Sequence, residues 1–138
     1  MRTVRMVLVV VCAFFAGMAA DCESGEYTIR VDRQEDLFVA AGSYTGYRHA
    51  IEGDNDIKVE FRVLEGGGPV DFLVLSDDDL ALWESGQAYD VVLETRDRTS
   101  GELYGTVASD GDYWVIVSNR DDAVESRRVT YDVWRRPR

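Results

Sequence analysis

The sequence predicts an all-β protein, an antiparallel β-sandwich of roughly seven to nine strands that follows an N-terminal signal segment. Three observations lead to this prediction. Apolar and polar residues alternate over Asp56–Val63, Gly- and Asp-rich turns recur at short intervals, and no long stretch carries a helical period. Residues 78–85 are expected to form a single helical turn.

The strands are assigned in chain order from apolar alternation and from the turns between them. Tyr27, Ile29 and Val31 alternate with polar residues, and a short apolar run farther on ends at the turn-prone Gly42-Ser43. The expected strands are Glu26–Val31, Leu37–Ala41, Asp56–Val63, Val70–Leu75, Tyr89–Thr95, Glu102–Ala108, Asp112–Ser118 and Arg128–Trp134. Gly-Ser, Asp-Gly and Asn-Arg-Asp-Asp turns separate the later strands at spacings suited to a sandwich.

Two neighbouring strands are expected to differ in burial. In Asp56–Val63, the odd-numbered residues from Ile57 onward are apolar, so one face should lie in the core and the other in solvent. Val70–Leu75 is apolar at consecutive positions, so both of its faces should be covered. Gly66-Gly67-Gly68-Pro69 joins them and is expected to form a sharp corner, with glycine adopting positive φ. It is not a phosphate-binding loop, because no Lys-Ser or Lys-Thr follows.

The first twenty residues have the features of a secretory signal. Arg2 and Arg5 precede the uncharged stretch Met6–Ala20, and small residues close that stretch, where cleavage is expected after residue 19 or 20. A membrane-spanning helix needs about 20 apolar residues, so this stretch is short for one, and an uncleaved anchor is the alternative. The expected organisation is a signal peptide (1–20), a short extension (21–25) and a sandwich domain (26–138). After cleavage Cys22 is the sole cysteine, so no intramolecular disulfide can form.

The chain is strongly acidic. It has 26 acidic and 15 basic residues, and since only Arg2 and Arg5 of these lie in the signal, the mature net charge is −13. This charge repels nucleic acid and anionic lipid, so we expect no nucleic-acid partner and, after cleavage, no stable membrane insertion. Lys58 is the only lysine. Adaptation to high salt and a GC-rich genome would each explain that bias.

The sequence does not predict an enzyme. His49 is the single histidine, and no Gly-x-Ser-x-Gly motif supplies a serine that it could activate. A zinc site needs three or four ligands, which one histidine and one cysteine do not provide. We therefore expect no catalytic residues and no cofactor, with calcium as the candidate ion.

Calcium is a candidate because acidic residues recur in the predicted loops. Asp77, Asp78 and Asp79 directly follow a buried strand, and Ca²⁺ takes carboxylate oxygens as ligands. These three would be the first metal ligands. None of the acidic loops has the spacing of an EF-hand, and the alternative is ordinary turn chemistry on an acidic surface.

Trp134 is the candidate partner-binding residue. On the last strand Val129, Tyr131 and Val133 form the expected inner face, which places Trp134 on the outer face. An exposed tryptophan there would bind a partner or serve as a sugar platform, and the alternative is a lid over the sandwich edge.

Two segments together resemble the GOLD domain, the luminal β-sandwich of Golgi-dynamics cargo receptors. One is IKVEFRVLEGGGPVDFLVL (Ile57–Leu75), and the other is GDYWVIVSNRDD (Gly111–Asp122), followed by RRVTYDV. The resemblance covers about Asp56–Trp134. It implies a GOLD-like or jelly-roll sandwich that is extracytoplasmic, is not an enzyme and binds proteins or lipids. The disulfide, coiled coil and membrane span of the receptors have no counterpart here, so a cargo-receptor role is not expected.

Together these observations predict an exported, acidic β-sandwich that acts as a protein-interaction or accessory module of the cell envelope or extracellular space. The expected partner is another protein or a second copy of the chain. Two alternatives stay open: a calcium- or carbohydrate-binding module, and a structural component of the envelope.

Overall fold

The computed structural model describes residues 26–65 and 67–138. Within these ranges it has eight strands and one helix. They are β1 (Ile29–Val39), β2 (Tyr44–Ile51), β3 (Asn55–Val63), β4 (Val70–Ser76), α1 (Asp77–Glu84), β5 (Leu93–Arg98), β6 (Ser100–Val107), β7 (Gly111–Ser118) and β8 (Arg127–Pro137). The predicted signal segment, the extension and Cys22 lie outside these ranges. No described helix is long and apolar enough to cross a membrane.

The strands form two four-stranded sheets that pack face to face. The front sheet has the order β1-β8-β3-β6, and the back sheet has the order β2-β7-β4-β5. Every pairing between neighbouring strands is antiparallel. The predicted antiparallel β-sandwich is therefore confirmed.

The main core lies between the sheets, and alternation on β3 and β8 predicts its front half correctly. Ile57, Val59 and Phe61 are buried on β3, and Val129, Tyr131 and Val133 are buried on β8. They pack against inward-facing side chains of the back sheet, including a stacked Phe61–Phe72 pair with ring centroids 5.1 Å apart. Burial of these apolar side chains is the main favourable contribution to folding.

β4 is buried on both faces, as its continuous apolar sequence predicts. Phe72 and Val74 contribute to the main core, whereas Leu73 and Leu75 face outward into a second apolar cluster. That cluster is covered by α1, whose Trp83 is buried against it. The outer face of the back sheet is thus partly shielded from water.

The helix is longer than the single turn that the sequence predicts. It begins after Ser76, whose hydroxyl accepts a hydrogen bond from the Asp79 amide at 3.3 Å, and three aspartates occupy its first turn. Serine caps and acidic first-turn residues both stabilise helix N-termini. Apolar periodicity alone does not reveal this helix, because few of its residues, chiefly Leu80 and Trp83, face the sheet.

The N-terminal strands also differ from the prediction. The two short strands expected at Glu26–Val31 and Leu37–Ala41 are one irregular strand, β1, with register shifts at residues 30–32 and 34–37. Asp36 within it has a φ of 55°. β2 was not predicted, because its sequence YTGYRHAI mixes polar and apolar residues on both faces. As an edge strand it pairs only with β7 in the described chain.

The glycine-rich corner links β3 of the front sheet to β4 of the back sheet, as predicted, but its glycines serve another purpose. The described glycines with positive φ are Gly42 and Gly86, so positive φ is not the reason for Gly67 and Gly68. A Cβ on Gly68 would lie 2.5 Å from Nη2 of Arg127. This glycine therefore allows an arginine side chain to lie against the backbone of the corner.

A buried polar cluster ties the two sheets together. The register shift in β1 turns Asp32 inward, where it is 8% exposed. Its Oδ2 accepts a hydrogen bond from the Tyr131 hydroxyl at 2.7 Å and lies 2.9 Å from Nε2 of His49 on β2. Gln34 donates to Oδ1 at 3.0 Å. Burial, followed by the hydrogen bond to Asp32, raises the pKa of Tyr131 above its ordinary value.

We expect Tyr131→Phe to lower the free energy of unfolding by about 1–3 kcal/mol, because it removes a donor from a buried carboxylate. Urea denaturation at neutral pH measures the change. Tyr104→Phe is the matched control: it removes the same hydroxyl from an exposed ring that bonds to Glu102, and should change stability by less than about 0.5 kcal/mol. Equal effects of the two variants would show that the buried cluster does not stabilise the fold.

Candidate functional site

Trp134 lies on the outer face of the front sheet, in the middle of a band of long side chains. Alternation on β8 puts it opposite the buried Val133. Strand register places it beside Arg30 of β1 and Lys58 of β3. The guanidinium carbon of Arg30 lies 4.3 Å from the centroid of the tryptophan ring, a cation–π geometry. Asp132 forms an ion pair with this arginine, and its Oδ1 lies 3.4 Å from the Arg30 Nε.

Two tyrosines and a second arginine extend this band across the sheet. Tyr104 is 56% exposed on the edge strand β6, and its ring centroid is 6.1 Å from that of Tyr27. The guanidinium carbon of Arg136 lies 4.4 Å from the Tyr27 centroid. We call the group of Tyr27, Arg30, Tyr104, Trp134 and Arg136 the aromatic face. Its tyrosine, tryptophan and arginine side chains are the types that most often dominate binding energy at protein interfaces.

A second feature is the β7–β8 loop, residues 119–126, which hydrogen bonds hold in one conformation. Asn119 is 3% exposed, and its side-chain amide donates to the carbonyls of Ala40 and Glu125 at 3.3 and 2.7 Å. Asp122 accepts from the amides of Val124 and Glu125 at 2.9 and 3.1 Å. The Asp122 carbonyl accepts from the Gly42 amide at 2.6 Å. The loop is therefore fixed both internally and to the β1–β2 turn.

Arg127 connects this loop to the glycine-rich corner. It is 5% exposed, and its Nη2 donates to Asp122 at 2.8 Å. Its Nε donates to the carbonyl of Pro69 at 3.2 Å, and its Nη1 donates to the carbonyls of Glu125 and Ser126. A buried guanidinium is stable only when its donors are satisfied, and these four acceptors fulfil that need.

Beside this loop lies an acidic cavity of about 280 Å³. Its lining includes Asp71, Asp97, Asp121 and Asp122 together with the buried Arg127. The Asp71 carboxylate accepts a hydrogen bond from the Asp97 amide at 2.9 Å. Burial is the main cause that raises the pKa of Asp71, and the charge of Asp121 adds to it. This end of the sandwich therefore combines a hydrogen-bonded loop with four carboxylates, of which that of Asp122 is paired with Arg127.

The three aspartates predicted to bind calcium lie in the first turn of α1. Asp77 accepts hydrogen bonds from Trp114 at 2.6 Å and from Arg48 at 2.5 Å, and these bonds, that of Arg48 first, lower its pKa. Asp79 accepts from Ser76 and from the Asp90 amide. The described residues contain no group of three or more potential ligands arranged to hold a metal ion. Calcium at Asp77, Asp78 and Asp79 stays a hypothesis, and these contacts weigh against it.

Sequence reasoning places Trp134 correctly on the outer face of its strand but misses its neighbours and the β7–β8 loop. Strand register brings Arg30 beside Trp134 and places Tyr104 in the same row of the sheet, on the other side of Lys58. In the loop, the run Asn-Arg-Asp-Asp indicates a turn, yet nothing in the sequence shows that Arg127 is buried. The sequence feature that could have drawn attention to this loop is Val124, a valine within the polar stretch Arg120–Arg128.

The bonds at Asp122 predict an unusual titration. Hydrogen bonds from the Val124 amide, from Arg127 and from the Glu125 amide lower its pKa to about 2. The unfolded value is about 3.9, so the loop stability that the ionised carboxylate contributes is present above pH 4 and is lost as the pH falls through about 2. We expect the Val124 amide resonance in NMR spectra to shift with a midpoint near pH 2. Asp122→Asn should abolish this titration, and a midpoint near 4 would contradict it.

Comparison with known proteins supports the fold alone. No described protein family and no curated protein matches the sequence. A solved structure that resembles the chain is that of PliG from Aeromonas hydrophila, a periplasmic lysozyme inhibitor of g-type lysozyme. The two are 14% identical, the match covers 83% of this chain and 93% of PliG, and the TM-score is 0.58. At this identity the likeness establishes a shared β-sandwich architecture.

Proposed function

We propose that this chain is an exported, non-catalytic protein-binding module of the cell envelope or extracellular space, and that it binds its partner through the aromatic face. One observation carries the proposal: two stacks, Arg30 on the half-buried Trp134 and Arg136 on Tyr27 beside the exposed Tyr104, lie on the outer side of the front sheet. These residue types are enriched at the centres of protein interfaces, where they bury large areas at low entropic cost.

The arrangement of the rings favours a protein over a carbohydrate. Sugars stack on open aromatic faces, whereas Arg30 already covers one face of Trp134 and Arg136 covers one face of Tyr27. A protein surface can instead pack against arginine and ring together, because the guanidinium plane offers both hydrogen-bond donors and apolar contact. The carbohydrate-binding alternative therefore has no specific support in the described residues.

Four further points agree with this proposal. The sequence carries the features of a secretory signal, and PliG is a periplasmic protein whose target is another protein. The GOLD-like resemblance, which stays a proposal, implies an extracytoplasmic sandwich that binds proteins. His49, the single histidine, lies against the buried Asp32 between the sheets, which is a structural position.

The proposal predicts that truncating the aromatic face weakens binding. The mature chain, immobilised and exposed to the extracytoplasmic fraction of its source organism, should capture a stoichiometric protein partner. Trp134→Ala and Tyr104→Ala should each reduce its affinity about ten-fold, since truncated interface hot spots cost more than 1.4 kcal/mol. Titration of the purified partner by calorimetry measures the change.

Phe38→Ala is the matched control. Phe38 is 51% exposed on the same sheet, and Arg128 lies over its ring at 5.5 Å. Phe38 of β1 pairs with Arg128 of β8, which lies six residues before Trp134. At roughly 3.3 Å per residue this separates Phe38 from Trp134 by about 20 Å along the strand direction. Its truncation should leave the affinity unchanged. A partner that binds the Trp134 and Tyr104 variants as tightly as the wild type would refute the aromatic face as the contact surface.

A further inference from the structure

Val124, at the tip of the β7–β8 loop, is the most exposed large apolar side chain in the described structure. It is 86% exposed, compared with 56% for Tyr104, the next in order. A single exposed valine on a flexible loop would need no explanation. Val124 differs because the backbone around it is fixed on both sides.

Three side chains, those of Asn119, Asp122 and Arg127, hold the backbone of Val124 and of the two residues that follow it. Asp122 binds the amides of Val124 and Glu125, and Asn119 binds the carbonyl of Glu125. Arg127 then binds Asp122 and the carbonyls of Glu125 and Ser126. A loop that is already ordered loses little conformational entropy when it binds, so an apolar side chain at its tip contributes nearly its full burial energy to affinity.

We propose that the β7–β8 loop is a second docking element, which inserts Val124 into an apolar cleft of a protein partner whose rim is positively charged. The charge of the rim follows from the surroundings of the loop. Asp71, Asp97 and Asp121 line the adjacent cavity, and none of the three forms an ion pair within the described chain. Complementary charge on the partner would steer the encounter and relieve the repulsion among these carboxylates.

The same charges argue against other occupants of this surface. An anionic membrane would be repelled by the carboxylates around the loop. A second copy of the chain, with a net charge of −11 in full and of −13 after the predicted cleavage, would be repelled as well. A basic protein surface has the complementary charge that both of these lack.

This surface is distinct from the aromatic face. Arg127 begins β8, and Trp134 lies seven residues farther along the same strand, which corresponds to about 23 Å. The inference therefore goes beyond the proposed function, and either surface can fail a test without the other.

Site-specific photocrosslinking tests the proposal. The full chain carrying a benzophenone amino acid at position 124 is irradiated with the extracytoplasmic fraction, and crosslinked peptides are identified by mass spectrometry. We expect one protein, crosslinked within an apolar cleft rimmed by lysine or arginine. The same label at position 91, where Val91 is 38% exposed, is the control and should not crosslink this protein.

The crosslinked protein, purified, then serves as the probe in binding titrations. Val124→Asp should weaken its binding about ten-fold or more, whereas Val91→Asp should not. Asp122→Ala, which frees the loop but keeps the valine, should also weaken binding, and raising NaCl from about 0.05 to 0.5 M should do the same for the wild type. Trp134→Ala should leave the crosslink at position 124 intact.

Either of two results would overturn the proposal. The label at position 124 crosslinks no protein, or the purified crosslinked protein binds the Val124→Asp variant as tightly as it binds the wild type. Binding of the chain to phosphatidylglycerol vesicles, or a dimer in sedimentation that Val124→Asp dissociates, would replace the basic protein partner by a membrane or a second copy.

Discussion

The buried guanidinium of Arg127 is the interaction on which the organisation of one end of this sandwich depends. A charged group that is 5% exposed must find partners, and Arg127 finds them in the glycine-rich corner and in the β7–β8 loop. The corner accordingly has glycine at position 68, where any side chain would meet the guanidinium. The loop in turn places Asp122 where its carboxylate can pair with it. Two connections that are distant in the sequence thus acquire fixed conformations from one side chain.

The second constraint is that β4 is buried on both faces over Phe72–Leu75. Its inward residues fill the space between the sheets, while Leu73 and Leu75 need a separate cover. The helix that directly follows β4 provides that cover through Trp83, and Arg48 and Trp114 bind its first turn through Asp77. The acidic run after β4 is therefore explained by capping and by ion pairing within the fold. The helix α1 thus covers part of the outer face of the back sheet, whereas no helix of the described residues packs on the outer face of the front sheet.

Sequence reasoning predicted whatever depended on local alternation and missed whatever depended on register or on long-range hydrogen bonds. The inward faces of β3 and β8 followed from period-two patterns, and so did the outer position of Trp134. The register shift that turns Asp32 inward, and with it the link to His49 and Tyr131, depends on how β1 pairs with β8. The helical turn expected at residues 78–85 is present as the longer α1, and its extent was underestimated because its stability comes from a cap and from few contacts rather than from an apolar stripe.

Both surfaces that we assign to binding are presented by β8, and this explains how a small domain can keep them independent. β8 lies between β1 and β3 in the front sheet, and its buried residues Val129, Tyr131 and Val133 hold it rigidly in the core. The loop before it and the aromatic face near its end therefore move little relative to each other. Rigid presentation lowers the entropy lost on binding at either surface. The two proposed surfaces differ in chemistry, because Asp71, Asp97 and Asp121 line the cavity beside the loop, whereas Arg30 and Arg136 of the aromatic face are ion-paired with Asp132 and Asp56.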